Sequence, residues 1–427
     1  MRHIIAFLQE YSIPLILGVI AGLVWANIDF DSYYKIVEFD FWNFGRGPFL
    51  DDGEHHDLND FYIFGKHVTV HFLINEVFMV FFFGIAAKEI TESILPGGAL
   101  NPLPKAINPI MGTLGGVFGP VGLFILLAVI FYGGTDDLGR MMFPAEGVLG
   151  GWAIPTATDI ALAWLVARVI FGARHAAVNF LLLLAVADDA IGLVIIAVFY
   201  SENVVPLWLL LTLGGMVTAY VFRRIGITWW PVYILVAGGM SWVGLVKTGV
   251  EPALALVAIV PFLPALHAGG HESEEHDIEY AHAHTSGGHG HQAGTLEKFE
   301  HHLKLPVDFG LFFFAWANAG VAFGNINQVT LMILLSLIVG KTVGVSIFSF
   351  IVSKLGFPLP EGMGLRHLMV AGMIAGLGLT VALFVANKAY YGTEFLDPGK
   401  MGAVFSIVVA GLAFVFARVI GIRRDPD

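Results

Sequence analysis

The sequence predicts an all-α, polytopic membrane protein, on three observations. Of 427 residues, 57% are hydrophobic and only 13% charged, about half the ~25% charged share usual in soluble domains. The mean hydropathy is +0.77. Apolar stretches of about 20 residues, the length that crosses a ~30 Å hydrocarbon core, recur along the whole chain between short polar breaks. A net charge of -12, from 22 Lys and Arg against 34 Asp and Glu, excludes nucleic-acid binding, because phosphate contacts need clustered cations. With no cysteine, disulfides, thiolate metal sites and cysteine nucleophiles are excluded too.

Twelve spans are expected, at about 12–28, 68–92, 106–132, 147–168, 175–200, 205–222, 229–246, 248–265, 306–325, 330–353, 366–390 and 401–421. The first run lacks a small-residue cleavage site and reads as a retained span rather than a signal peptide. Alternating the loops from a cytoplasmic start puts fourteen Lys and Arg inside and seven outside, with Lys341 left within the membrane. That bias places both termini in the cytoplasm. Two polar segments interrupt the pattern. Residues 29–67, acidic and aromatic, read as an extracytoplasmic loop able to form a short hairpin. Residues 266–305 hold nine of the sixteen histidines, among them His271, His276, His282, His284, His289 and His291, and read as a solvated cytoplasmic loop. Zinc or nickel binding, or a proton-antenna role, is the alternative there, although nothing in the spacing fixes a ligand geometry.

Charges within spans carry the functional signal, since an ionisable group at the bilayer centre costs at least ~2.5 kcal/mol. Asp159 sits at the centre of the fourth span, after Pro155. Asp188 and Asp189 sit near the centre of the fifth and Lys341 near that of the tenth. A structural ion pair, Asp188 or Asp189 with Lys341, accounts for two of these four charges and leaves Asp159 and one neighbour unexplained. Adjacent aspartates point about 100° apart on a helix, so both cannot face one partner. Glu76, toward the outer end of the second span, reads as structural. Gly340-Lys341-Thr342 imitates the end of a phosphate-binding loop but lacks the upstream glycine and strand.

The backbone gives a second signal. Pro155 with Gly150 and Gly151 should break the fourth span, and Gly372, Gly376 and Gly378 the eleventh. Each is the second span of a three-span group, giving repeats at 106–200 and 330–421. Paired discontinuous helices at corresponding places point to an inverted-repeat secondary transporter. A carboxylate at the freed N-terminal ends and an ammonium at the C-terminal ends would offset their partial charges, with Asp159 and Lys341 the natural candidates.

These residues resemble the NhaA-type sodium/proton antiporters. The matching elements are Ala157-Thr158-Asp159-Ile160 after a proline, Asp188-Asp189 followed by Gly192 and Ile195-Ile196, Gly340-Lys341, and Ala317-Asn318-Ala319-Gly320-Val321. The resemblance implies crossed broken helices in spans 4 and 11, beside an interface domain. It implies a homodimer in the bacterial inner membrane working by alternating access. Asp188 and Asp189 would carry Na+ (or Li+) and protons, Asp159 would support the site, Lys341 would pair with Asp188, and Thr158 would line the site. No resident cofactor is expected, the ions being cargo. For pH response the resemblance points to Glu300 and His301, and to Glu251 where the family has a histidine. Ala86 stands where the family has a glutamate, Lys304 where it has a second histidine, and the His-rich insertion is unlike the typical member.

A carboxylate can hold a proton or a hard cation through the same oxygens, so competition at one site gives exchange. Sodium arriving at the aspartates would deprive Lys341 of its ion pair and release its proton, making the cycle electrogenic. An intramembrane aspartyl protease using Asp159 and Asp188 is a rival that leaves Lys341 and the broken helices unexplained. An organic-anion transporter on the same architecture is the other rival, and its midplane would be expected to be cationic.

Overall fold

The computed structural model describes residues 5, 7–9, 11–39, 62, 63, 66–101, 103–132, 147–201, 204–265, 294–422 and 424. Most of the two polar segments, including His271 to His291, lies outside the described residues. Among the described residues, seven helices are long and apolar enough to cross a membrane, nine when each of two bent pairs is taken as one span. In chain order the helices are α1 (Ile13–Ile28), α2 (Phe30–Val37), α3 (Val70–Ile94), α4 (Leu103–Tyr132), α5 (Ile160–Phe171), α6 (Ala176–Phe199), α7 (Pro206–Arg224), α8 (Trp230–Thr248), α9 (Thr295–Ala319), α10 (Gln328–Lys354), α11 (Leu365–Ile374), α12 (Leu379–Ala389) and α13 (Leu396–Val419).

Three expectations change. Residues 248–265 are not an α-helix: Pro252–Leu254 and Val260–Phe262 are 3-10 turns, joined by i→i+3 bonds such as Val257 N–H to Leu254 O (3.0 Å). Pro252 and Pro261 each remove a backbone donor, which favours short 3-10 pieces over a continuous α-ladder. The span expected at 306–325 starts earlier, at Thr295, because the Glu297 carboxylate accepts the Gly294 N–H (3.1 Å) and closes the first turn. Helix α9 therefore takes in the last eleven residues of the segment expected to be loop. Part of 29–67 is helical as well: Asp29 accepts the Ser32 N–H at 3.1 Å and restarts the chain as α2. In the same segment Tyr62–Ile63 pair antiparallel with Lys66–His67.

The two broken spans are present. The 3-10 helix Val148–Thr156 and α5 meet at 48°, and α11 and α12 meet at 50°. Tyrosine hydroxyls satisfy carbonyls of the 3-10 piece, Tyr200 donating to Gly150 O (2.9 Å) and Tyr390 to Val148 O (2.5 Å). Between the breaks, α4 and α10 cross through two interlocked Gly-xxx-Gly pairs, Gly115/Gly119 and Gly340/Gly344. A Cβ on Gly344 would collide with the Gly115 carbonyl, and one on Gly119 with the Gly340 carbonyl. Membrane helices have little hydrophobic drive to associate with one another, and close backbone approach of this kind supplies dispersion instead. The crossing fixes the residue after Gly340, which is Lys341.

Candidate functional site

The links of the two broken spans lie against each other. The N–H of Asp159 donates to Leu377 O at 2.5 Å and the Thr158 hydroxyl to Ala375 O at 2.8 Å. A Cβ on Gly378 would stand 2.7 Å from Ala157 O, so this approach requires glycine. Asp159 caps both helices that start at the crossing. One carboxylate oxygen accepts the Leu162 N–H (3.1 Å) at the head of α5. The other accepts the Thr380 N–H (3.3 Å) and the Thr380 hydroxyl at the head of α12. One buried negative charge thus faces two helix N-termini, where the partial charge is positive.

Lys341 does not offset the opposite ends. Those carbonyls, Ala375 and Leu377, take the Thr158 hydroxyl and the Asp159 N–H instead. The Lys341 ammonium, fully buried, lies 2.7 Å from Asp188 Oδ2 and 2.5 Å from Thr158 Oγ1. An amine with no water around it needs such an anion. Asp189, next in α6, is half-buried and makes no hydrogen bond or ion pair with another described residue. The two aspartates therefore differ as the 100° step predicts, one bound and one open.

The residues singled out for pH response are not brought together. Glu251 accepts from the Lys388 ammonium at 2.8 Å, and Glu76 accepts from the same ammonium at 2.8 Å. Glu300 belongs to a different cluster, with Lys88, which also bridges Glu92 (2.6 Å), and with Lys304 at 3.4 Å. His301 is exposed beside His302. Helix α3 separates the clusters: Glu76 and Lys88 are twelve residues apart on it, about 18 Å at 1.5 Å per residue. Ala86 is buried in the same helix.

Sequence reading missed Lys388, Thr380 and Glu89. Lys388, near the end of an apolar span, was visible as a charge whose partners are distant in sequence. Thr380 carried no signal beyond following the broken stretch. Glu89 is half-buried, makes no side-chain bond with another described residue, and interacts electrostatically with Asp189 across the α3/α6 contact.

Two bent spans crossing at a shared carboxylate, with a buried lysine–aspartate pair alongside, define a polytopic transporter of the crossed-broken-helix class. Residues 3–417 match the family model described as Na+/H+ antiporter 1. The chain is 48% identical over 438 residues to the Na(+)/H(+) antiporter NhaA of Desulfitobacterium hafniense, covering 100% of this chain and 98% of the relative. It is 47% identical to that of Geobacter sulfurreducens, covering 100% of both, and 39% identical to that of Jannaschia sp., covering 98% of both. The chain belongs to the Na+/H+ antiporter 1 family, and it is a multi-pass membrane protein of bacterial type.

Proposed function

We propose that the protein exchanges Na+, or Li+, for protons across the bacterial inner membrane, with Asp188 and Asp189 as the carriers. The observation that carries this reading is the contrast within the pair: Asp188 is held by Lys341 at 2.7 Å, while Asp189 stands open beside it. Oxygen ligands suit a hard monovalent cation, and the same oxygens bind protons. A cation reaching Asp189 displaces the proton that carboxyl carries, draws Asp188 into its coordination and releases Lys341 from its counter-charge. Buried without an anion, the ammonium favours its neutral form and gives up a proton. When two protons return, one to Asp189 and one to Lys341, the cation leaves and the Lys341–Asp188 pair re-forms. Thr158 passes from the ammonium to the cation, and Asp159 keeps the two helix heads together throughout. Counting Lys341 with the aspartates makes the cycle electrogenic.

The site opens alternately to either side as the repeats at 106–200 and 330–421 move against the other helices. The protein works as a homodimer with both termini in the cytoplasm, in keeping with the excess of Lys and Arg on that side. This orientation turns the Lys88–Glu300 end of α3 to the cytoplasm. Glu300, His301 and Glu251 tune the pH response.

Proton movement in inverted vesicles, on adding Na+, Li+ or K+ from neutral to alkaline pH, tests this. The parent should dissipate a pH gradient with Na+ and Li+, and Asp188→Asn and Asp189→Asn should not respond. A correctly inserted parent indifferent to every monovalent cation sinks the assignment. For electrogenicity, imposing a membrane potential should change the exchange rate, and a rate independent of potential removes Lys341 from the proton count.

A further inference from the structure

Lys388 lies in the last turn of α12, the second half of a broken span, and both its carboxylate partners come from outside the two repeats. Glu76 is on α3 and Glu251 begins the 3-10 segment after α8, each 2.8 Å from the ammonium. Both carboxylates are buried, at 6% and 4% exposure. The residue before it adds a third tie: the Asn387 amide donates to Asn318 Oδ1 on α9 at 2.5 Å. In its first turn the same helix carries Thr380, which holds Asp159. The charges at the opposite end of α3 are arranged differently. Lys88 bridges Glu92 on its own helix and Glu300 on α9, so all three belong to helices outside the repeats. A charge pair that joins the repeats to those helices is thus found at the Lys388 end.

We propose that Lys388 is a positioning residue for exchange: with Glu76 and Glu251 it forms an electrostatic latch that holds one end of the ion path closed and must release for the site to open there. Release separates an ammonium from two buried carboxylates, so the state shown here is favoured while the latch is made. Through α12 the latch also holds Thr380 against Asp159. This rests on the alternating-access reading above.

The chain has no cysteine, which allows a direct test. Glu76→Cys with Lys388→Cys places one thiol on each side of the junction, to be joined by a reducible bifunctional linker matching the reach of a Glu–Lys pair. Joining the thiols should abolish Na+-driven proton movement in proteoliposomes, Na+ binding by calorimetry should persist, and reduction should restore exchange. Fully joined protein that exchanges at the rate of the reduced protein overturns the latch. Should that pair misfold, the charge-free triple variant Glu76→Gln, Glu251→Gln, Lys388→Met serves. Its maximal rate should change by more than its Na+ half-saturation, with Lys388→Arg behaving as the parent. Parent values for both parameters in the triple variant also overturn the latch. A parent without Na+-driven proton movement fails the antiport reading itself, and the latch with it.

Discussion

Asp159 is bound to two helix heads at once, and that decides what substitution should do. The Thr380 hydroxyl donates to a charged, buried acceptor, a class of bond worth about 1.5–3 kcal/mol. Thr380→Val should lower stability by that order, read as a fall in unfolding temperature in detergent, while Thr380→Ser should stay near the parent. Equal melting for Val and parent would mean the cap contributes nothing. Glu89 is a residue of another kind. Unpaired among the described residues, it interacts electrostatically with Asp189 and with Lys304 and Lys88, and a role in drawing cations toward Asp189 is open to test. Glu89→Gln should raise the Na+ concentration for half-maximal exchange severalfold at low ionic strength, with the difference shrinking as inert salt is added. A salt-independent difference would assign Glu89 a packing role.

At the scale of elements, the crossing of α4 and α10 sets the depth and direction of Lys341. Each Gly-xxx-Gly pair presses backbone on backbone, so even one added methyl must push the helices apart. Gly344→Ala should destabilise by about 1–3 kcal/mol and slow exchange, because the Lys341–Asp188 pair moves with the helix. Gly122→Ala, on α4 where an added Cβ meets nothing within 4 Å, is the matched control and should be neutral or slightly stabilising. If both substitutions behave alike, the interlocking of the two helices is not what holds the crossing. The broken spans obey a related rule: with hydrogen bonding to water excluded, every freed N–H or C=O must find a protein partner, and Leu377, Ala375, Gly150 and Val148 all do.

Across the whole molecule, the residues singled out for pH response are divided between the two ends of α3. Glu251 belongs to the Lys388 cluster and Glu300 to the Lys88 cluster, about 18 Å apart along α3. Sites so separated act independently, to within about 0.5 kcal/mol. Glu251→Gln and Glu300→Gln should therefore shift stability additively when combined, as measured by chemical denaturation. Coupling well beyond that margin would show that the two ends communicate through the movement of the repeats.

The fold class was legible from composition and span length, and both breaks from Pro155 and the glycines of 372–378, because backbone rules act locally. The charges at Asp159, Asp188, Asp189 and Lys341 stood out for a reason equally local: each lies at the middle of an apolar stretch, where the cost of an ion depends on depth rather than on neighbours. Partnership was not legible. Which aspartate Lys341 would hold was named only through the family resemblance, because from the residues alone it depends on helix rotation, a step of about 100° separating Asp188 from Asp189. That Glu76 and Glu251 share Lys388, 312 positions from the first, could come only from the packing of three helical segments. By itself the sequence determined where charge would be costly and where helices would fail. The tertiary structure decided which opposite charge would meet each cost, because Coulombic pairing depends on distance in space, and a chain of apolar helices leaves that to how its helices pack.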